Sequence, residues 1–310
     1  MSRRRNEYEY KTGRAVAGLR LIGARGTSFM FNKLVLSQMG PMTLMGMRFL
    51  LAFAVLALIF FRHLRKACLS DILKGAALGA AFYLVMAAEL IGLTMCDSGL
   101  AALLENTALV MVPLFVALGS RRLPDGTTLF CSLMILIGVA CLAWSPSGFS
   151  FGLGEVIMLA AAVLYALTII LTERLAGEGD TVVMGIIQVG VIGALGMAAA
   201  FVAESPAPPA DVGAWVCILV LAFVCSGFGF TLQPVAQKYL TAERAGMFCA
   251  VGPLVATVMG VVFLHEQFSP AGAAGILLVL AGLLLAGLPG RLELHAHHSR
   301  PAPQQGNRPG

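Results

Sequence analysis

Charge is scarce in this chain. Of its 310 residues, 12% are charged and 58% hydrophobic, against roughly 25% and about 45–50% in an ordinary soluble domain. A water-soluble fold of this length would have too few charges to cover its surface. Nucleotide chemistry of the Walker type is excluded, since no GxxxxGK[ST] loop occurs. A GxSxG elbow and an HExxH helix are missing too. The five histidines fall at span ends or in the C-terminal tail, which leaves no buried pair for haem. The seven cysteines (Cys68, Cys96, Cys131, Cys141, Cys217, Cys225 and Cys249) stand singly, without a CxxC pair. They read as small apolar packing residues rather than as a disulfide framework. Catalytic residues, a cofactor and a bound metal are therefore not expected.

Long apolar runs fill the remainder. A membrane-spanning helix needs roughly 20 mainly apolar residues, and ten such segments tile the chain: 15–37, 41–61, 72–95, 98–119, 127–144, 153–173, 181–203, 213–238, 242–264 and 270–288. Short connections such as SQMGP, SPSGF and ESPAPPAD separate them, with the residues that turns require. The basic start, MSRRRNEYEYKTGR, does not read as a signal peptide, because the first apolar segment carries Arg20 and Arg25 and leads straight into a second span. A nucleic-acid-binding arm is the rival reading; juxtamembrane residues that fix orientation explain the charges more simply. The HAHH tract from His295 to His298 has metal-ligand chemistry, but it sits in a Pro/Gln/Gly-rich tail whose composition favours disorder.

With the N-terminus in the cytoplasm, 17 of the 21 Lys and Arg fall in cytoplasmic segments or at the cytoplasmic ends of spans and none in periplasmic loops, as the positive-inside rule requires. Arg20, Arg25, Lys33 and Arg48 lie deeper within spans. The two halves also echo each other. Arg25, Lys33 and Arg48 are spaced 8 and 15 apart, as are Tyr165, Glu173 and Gln188; Arg122 to Gly138 covers 16 residues, as does Glu266 to Gly282. The offset is 140 early and 144 late, so one half carries a small insertion. Five spans per half is an odd number, so the copies face opposite ways across the membrane. The organisation expected is an all-α membrane protein of ten transmembrane helices as two inverted five-helix repeats. Its parts are a cytoplasmic basic N-terminus (1–14), a first repeat (15–144), a periplasmic linker (145–152), a second repeat (153–288) and a disordered cytoplasmic tail (289–310). Inverted repeats recur in secondary transporters, with the substrate bound at their interface near the midplane.

Several stretches carry a family resemblance: GTSFMFNK, GPMTLMGMRFLLA and GLTMCDSGLAALLENTALVMVPLF early, then GEVIMLAAAVLYALTIILTERLA, Gln188, LQPVAQKYLTAERAG and VGPLVATVMGVVFLHEQFSPAGAAGILLVLAGLLL. In order and spacing the chain resembles the EamA-type carriers of the drug/metabolite transporter superfamily over nearly all of 15–288. The resemblance implies ten helices, cytoplasmic termini, no ATP requirement, and metabolite export or, in some relatives, uptake of vitamins or nucleotide-like compounds. Many relatives have a Trp-Gly pair where this chain has Arg25-Gly26.

Charges inside spans single out the candidate site, since each costs about 2.5–3.5 kcal/mol at a helix centre on insertion scales. Arg25 lies about 15 Å from the cytoplasmic end of its span at 1.5 Å per residue, flanked by Gly23 and Gly26. It reads as a substrate contact, a structural ion pair or a snorkelling side chain. Glu89 and Glu105 lie about 9–11 Å in from the periplasmic end, at a depth comparable to Lys33 and Arg48. These four form either a polar cavity that binds and gates, or a salt-bridge cluster holding the first spans together. Tyr165, Gln188 and Gln233 would add hydrogen bonds from the second half, or serve as interhelical packing. Pro113, Pro234 and Pro253 are expected to kink spans four, eight and nine.

These features point to a carrier of the cell inner membrane, monomeric, surrounded by lipid, with a small-molecule substrate, no nucleic-acid partner and proton coupling as an option. Its substrate would be a small polar or zwitterionic metabolite, an amino acid or related carboxylate moving outward, with Arg25 on the carboxylate. Two alternatives stand: an uptake carrier for an anionic nucleotide-like or vitamin compound, and a non-transporting membrane scaffold or accessory subunit.

Overall fold

A computed structural model describes residues 27–119, 126–142, 144–145, 148–149, 152–177, 179–239, 251–264 and 270–287. Arg20, Arg25, the basic start 1–14, the HAHH tract and the tail 289–310 lie outside the described residues. Residues 27–36 form helix α1. It is followed by α2 (Pro41–Ile59), a single turn α3 (Phe61–Leu64), α4 (Leu69–Met95), α5 (Ser98–Asn106), α6 (Ala108–Gly119) and α7 (Gly126–Leu142). A hairpin of two-residue strands, β1 (Trp144–Ser145) and β2 (Gly148–Phe149), leads to α8 (Leu153–Ala176). Then come α9 (Thr181–Ala203), α10 (Val212–Val220), a π-helical segment (Leu221–Phe228), α11 (Gly229–Tyr239), α12 (Val251–Leu264) and α13 (Pro270–Gly287).

Among the described residues six helical stretches are long and apolar enough to cross a bilayer: 41–59, 69–95, 98–119, 153–176, 181–203 and 212–235. About half of each is buried, yet residues such as Leu58, Leu118, Phe201, Val202 and Val212 stand exposed. Helices that are apolar on every side and only half covered need lipid, not water, around them. This is an all-helical membrane protein.

Small residues set the packing at the centre, where α2, α4, α8 and α9 lie together. Apolar side chains gain nothing by leaving lipid for each other, so close backbone approach supplies the association energy. Helices α2 and α9 run antiparallel, with Gly46 on Met197, Phe53 on Gly190 and Leu50 on Gly193. A shift of 140 residues exchanges the last two contacts. Antiparallel α7 and α13 repeat the theme. Gly138 lies on Gly275 and Val279, and Gly282 on Cys131 and Ile135; a shift of 144 exchanges these sets. Helix α4 runs parallel to α9, Gly75 facing Met184 and Gly79 facing Gln188 and Val191.

Among the described residues, the departures from α-helical hydrogen bonding fall elsewhere than at Pro113 and Pro234. Pro113 and Pro234 lie inside α6 and α11. Span four instead tightens at Asn106–Thr107, where the Thr107 N–H donates to Leu104 O three residues back. The side chains there also hold helix carbonyls: Asn106 Nδ2 donates to Ala102 O at 2.7 Å and Thr107 Oγ1 to Leu104 O at 2.6 Å. Such local bonds compete with the α pattern. Span eight widens into the π-helix before Gly229, where Ser226, Gly227 and Gly229 are poor helix formers. Pro253 lies in α12.

Candidate functional site

Between the two halves lies a cavity of about 20 Å³. One water needs roughly 10–15 Å³ by that measure, so one or two fit and no metabolite does. The first half supplies Ser28 and Phe29 from α1, Arg48 from α2, Met86 and Glu89 from α4 and Glu105 from α5. The second half supplies Cys225 and Ser226 from the π-helix and Phe230 from α11. Both irregular segments touch this cavity, because Glu105 precedes the tightened turn and Ser226 lies in the π-helix. Irregular backbone at membrane depth is tolerated only inside protein or beside a cavity, and π-helical turns collect at functional sites.

Three ionisable side chains meet here out of water: Arg48 is 3% exposed, Glu89 3% and Glu105 2%. Arg48 is held on three sides. Its Nη1 donates to Asn32 Oδ1 at 2.7 Å, its Nη2 lies 3.4 Å from Met86 Sδ, and its guanidinium stacks 4.8 Å from the centre of the Phe49 ring. Next to the cavity the rings of Phe49, Phe82 and Phe230 meet edge to face at 5.1 and 5.3 Å, and Tyr165 lies 6.1 Å from Phe82. This apolar wall lowers the local dielectric and strengthens every charge interaction beside it.

The expected residues thus separate into groups. Arg48, Glu89 and Glu105 come together. Lys33 does not join them: its ammonium donates to Leu93 O at 2.8 Å and Cys96 O at 2.6 Å, which satisfies carbonyls left open at the end of α4. Tyr165 sits in the aromatic wall, outside the cavity lining. Gln188 is fully buried on α9, and neither its Oε1 nor its Nε2 has a partner among the described residues. Gln233 Oε1, Ser226 Oγ and Thr231 Oγ1 are in the same condition. Each such atom costs about 1–3 kcal/mol when left dry. Arg25 lies outside the described residues, three positions before Ser28 in the chain. Sequence reasoning missed Ser28, Phe29, Met86, Cys225, Ser226 and Phe230 in the cavity wall, and Asn32 behind Arg48. Of these only Ser226 had a signal, a hydroxyl beside two glycines in the run SGFGF.

Contacts between the halves close both ends of the α2–α9 pair. Gly40, which precedes α2, has no side chain to cap it. Glu204, at the end of α9, supplies one, accepting from Met42 N and Thr43 N at 2.9 Å each and from Thr43 Oγ1 at 2.6 Å. At the other end Asp180 caps α9 through the N–H groups of Val182 and Val183 and pairs with His63 at 2.5 Å. Burial pushes the Asp180 carboxyl up. The Val183 N–H, the His63 bond and charge, and the Val182 N–H together outweigh it and hold the group below its ordinary value.

An all-helical bundle with a buried charged cavity between its halves and irregular helices around it is a membrane transporter by architecture. The comparisons agree. The model of the EamA-like transporter family matches residues 21–144 and again 152–288, and the chain belongs to that family, one of transporters and not of enzymes. It is similar to the "Uncharacterized transporter YcbK" of Bacillus subtilis (strain 168), at 25% identity, over 69% of this chain and 72% of that one. An "Uncharacterized transporter" of Archaeoglobus fulgidus is 24% identical over 66% and 72%. A protein of known crystal structure shares the fold with a TM-score of 0.63 at 20% identity, over 90% of this chain and 99% of its own.

Proposed function

We propose that this transporter carries a small zwitterionic metabolite, an amino acid or related carboxylate, out of the cell, with the substrate bound between two inverted five-helix repeats. The observation that carries the reading is the cavity that both halves line, with Arg48, Glu89 and Glu105 all in its wall. Two contact sets support inversion. The α2–α9 and α7–α13 contacts map onto themselves under the 140- and 144-residue shifts between antiparallel partners, as a two-fold axis in the membrane plane requires. Ten spans, cytoplasmic termini, an inner-membrane location and a monomer complete the proposal, since one chain contains both repeats.

The cavity is too small for any amino acid, so loading requires the halves to part. Parting would break the Glu204 cap at one end of α2–α9 or the His63–Asp180 pair at the other, and each contact closes one side. Arg25 would hold the substrate carboxylate through two parallel hydrogen bonds, which a lysine ammonium cannot reproduce. Arg48, Glu89 and Glu105 would complete the charged pole, with Lys33 closing the outer side and Tyr165 shaping the wall. Exchange of labelled amino acids by purified protein in liposomes tests the reading. Arg25→Lys should weaken apparent affinity at least about tenfold, or about 1.4 kcal/mol, without lowering thermal stability. Unchanged affinity removes Arg25 from the site; no exchange of any amino acid or simple carboxylate overturns the substrate class.

A further inference from the structure

The turn that joins α2 to α4 gathers cations on its outer face. Its backbone stays helical beyond α2: Arg65 N donates to Phe61 O, Lys66 N to His63 O and Ala67 N to Leu64 O, each at 3.1 Å. Arg62, Arg65 and Lys66, spaced three and four apart, therefore share one face of the turn. All three are exposed, and no hydrogen bond or ion pair holds their side chains among the described residues. The inner face is committed, with Leu64 against the central core and His63 on Asp180. Carboxylates at this end are engaged as well. Asp180 caps α9, and buried Asp71, in the first turn of α4, lies against Gly179. Like charges at helical spacing repel, so three on one face call for an anion from outside the protein.

Position makes the membrane its source. Leu58 and Ile59 in the last turn of α2, Phe61 in α3 and Leu69 at the start of α4 are each more than half exposed. At the ends of spanning helices such side chains meet lipid. The Arg65 guanidinium lies over the Phe61 ring, 5.8 Å from its centre. Within one helical turn the surface thus passes from apolar to cationic, the pattern of a segment lying at a bilayer interface. A phospholipid matches both parts, with acyl chains for the apolar side chains and a phosphate that a guanidinium can hold through two hydrogen bonds.

We propose that the corner of α2, α3 and α4 docks the headgroup of an anionic phospholipid from the adjoining leaflet, with Arg62, Arg65 and Lys66 on its phosphate. Because α3 also carries His63, a docked headgroup steadies the contact with Asp180 between the halves. Thermal melting of the purified full-length protein in neutral detergent, titrated with dioleoyl phosphatidylglycerol or dioleoyl phosphatidylcholine, tests this. The two lipids share their acyl chains and differ in headgroup charge. Phosphatidylglycerol should reach half-maximal stabilisation at a concentration at least about tenfold lower, since basic residues at the membrane surface favour anionic lipid. Arg62→Gln, Arg65→Gln and Lys66→Gln combined should bring the two lipids to within about twofold and leave melting without lipid unchanged. Arg65→Gln alone should cut the preference at least about threefold. Arg3→Gln, Arg4→Gln and Arg5→Gln combined, in the other basic cluster, should leave it intact. Equal action of the two lipids on wild type overturns the site, and so does a preference that survives the triple change or the Arg65 change. Loss of the preference in the Arg3, Arg4 and Arg5 variant assigns it to net charge and overturns the site too. Lower melting of the first triple variant without lipid reveals a partner inside the protein, with the same consequence. Equal stabilisation by inorganic phosphate makes the ligand a free anion and overturns the lipid.

Discussion

At the scale of single residues, the cost of burying charge decides what matters. Arg48, Glu89 and Glu105 are each almost wholly removed from solvent, and a charge in that position persists only with partners. Lys33 reaches a different solution from the same depth, with its long stem carrying the ammonium to the carbonyls of Leu93 and Cys96. If transport is proton-driven, one of the two carboxylates takes up and releases the proton. Glu89→Gln or Glu105→Gln at that position should abolish pH-driven accumulation while sparing substrate exchange, measured in liposomes with and without a pH gradient. Wild-type pH dependence in both variants rules out proton coupling through this pair.

Elements pack here by subtraction of side chains. A Cβ at Gly138 would meet Val279 Cγ2 at 2.7 Å and Gly275 O at 2.9 Å; at Gly282 it would meet Ile135 Cγ1 at 2.7 Å and Cys131 O at 3.3 Å. Backbone cannot give way as a flexible side chain does, so the helices must separate. Gly138→Ala and Gly282→Ala should each destabilise by about 1–3 kcal/mol, the usual cost of overpacking. The Gly138 change should cost more, because its oxygen contact is the tighter. Equal stability of both variants with wild type in thermal melts would show that α7 and α13 are not held this closely. The irregular elements follow another logic: span four tightens and span eight widens where each meets the cavity.

On the scale of the whole molecule, the proposed orientation rests on charge. All basic residues outside the spans fall on one side when the N-terminus is cytoplasmic, and Lys or Arg left in short loops stay on that side during insertion. Cysteines introduced singly at Ser147 and Ala207 in a cysteine-free background should react with an impermeant maleimide added to intact cells. Those at Ala67 and Gly177 should not, and their labelling would overturn the orientation. In the proposed orientation the His63–Asp180 contact would face the cytoplasm and the Glu204 cap the outside, closing the α2–α9 pair once at each surface.

Membrane class and family were legible in the amino-acid sequence because both depend on local composition and on order along the chain: twenty apolar residues announce a span whatever they touch. Span limits were legible for the same reason, with 181–203 matching α9 and 41–61 close to α2. Depth arithmetic also brought Arg48, Glu89 and Glu105 to one level, since rise per residue is constant in a helix. Depth says nothing about azimuth, however, and azimuth depends on which helices become neighbours. Only the tertiary structure could therefore turn Lys33 away from the other charges, set Ser226 and Phe230 against Arg48, and bring Glu204 to the start of α2.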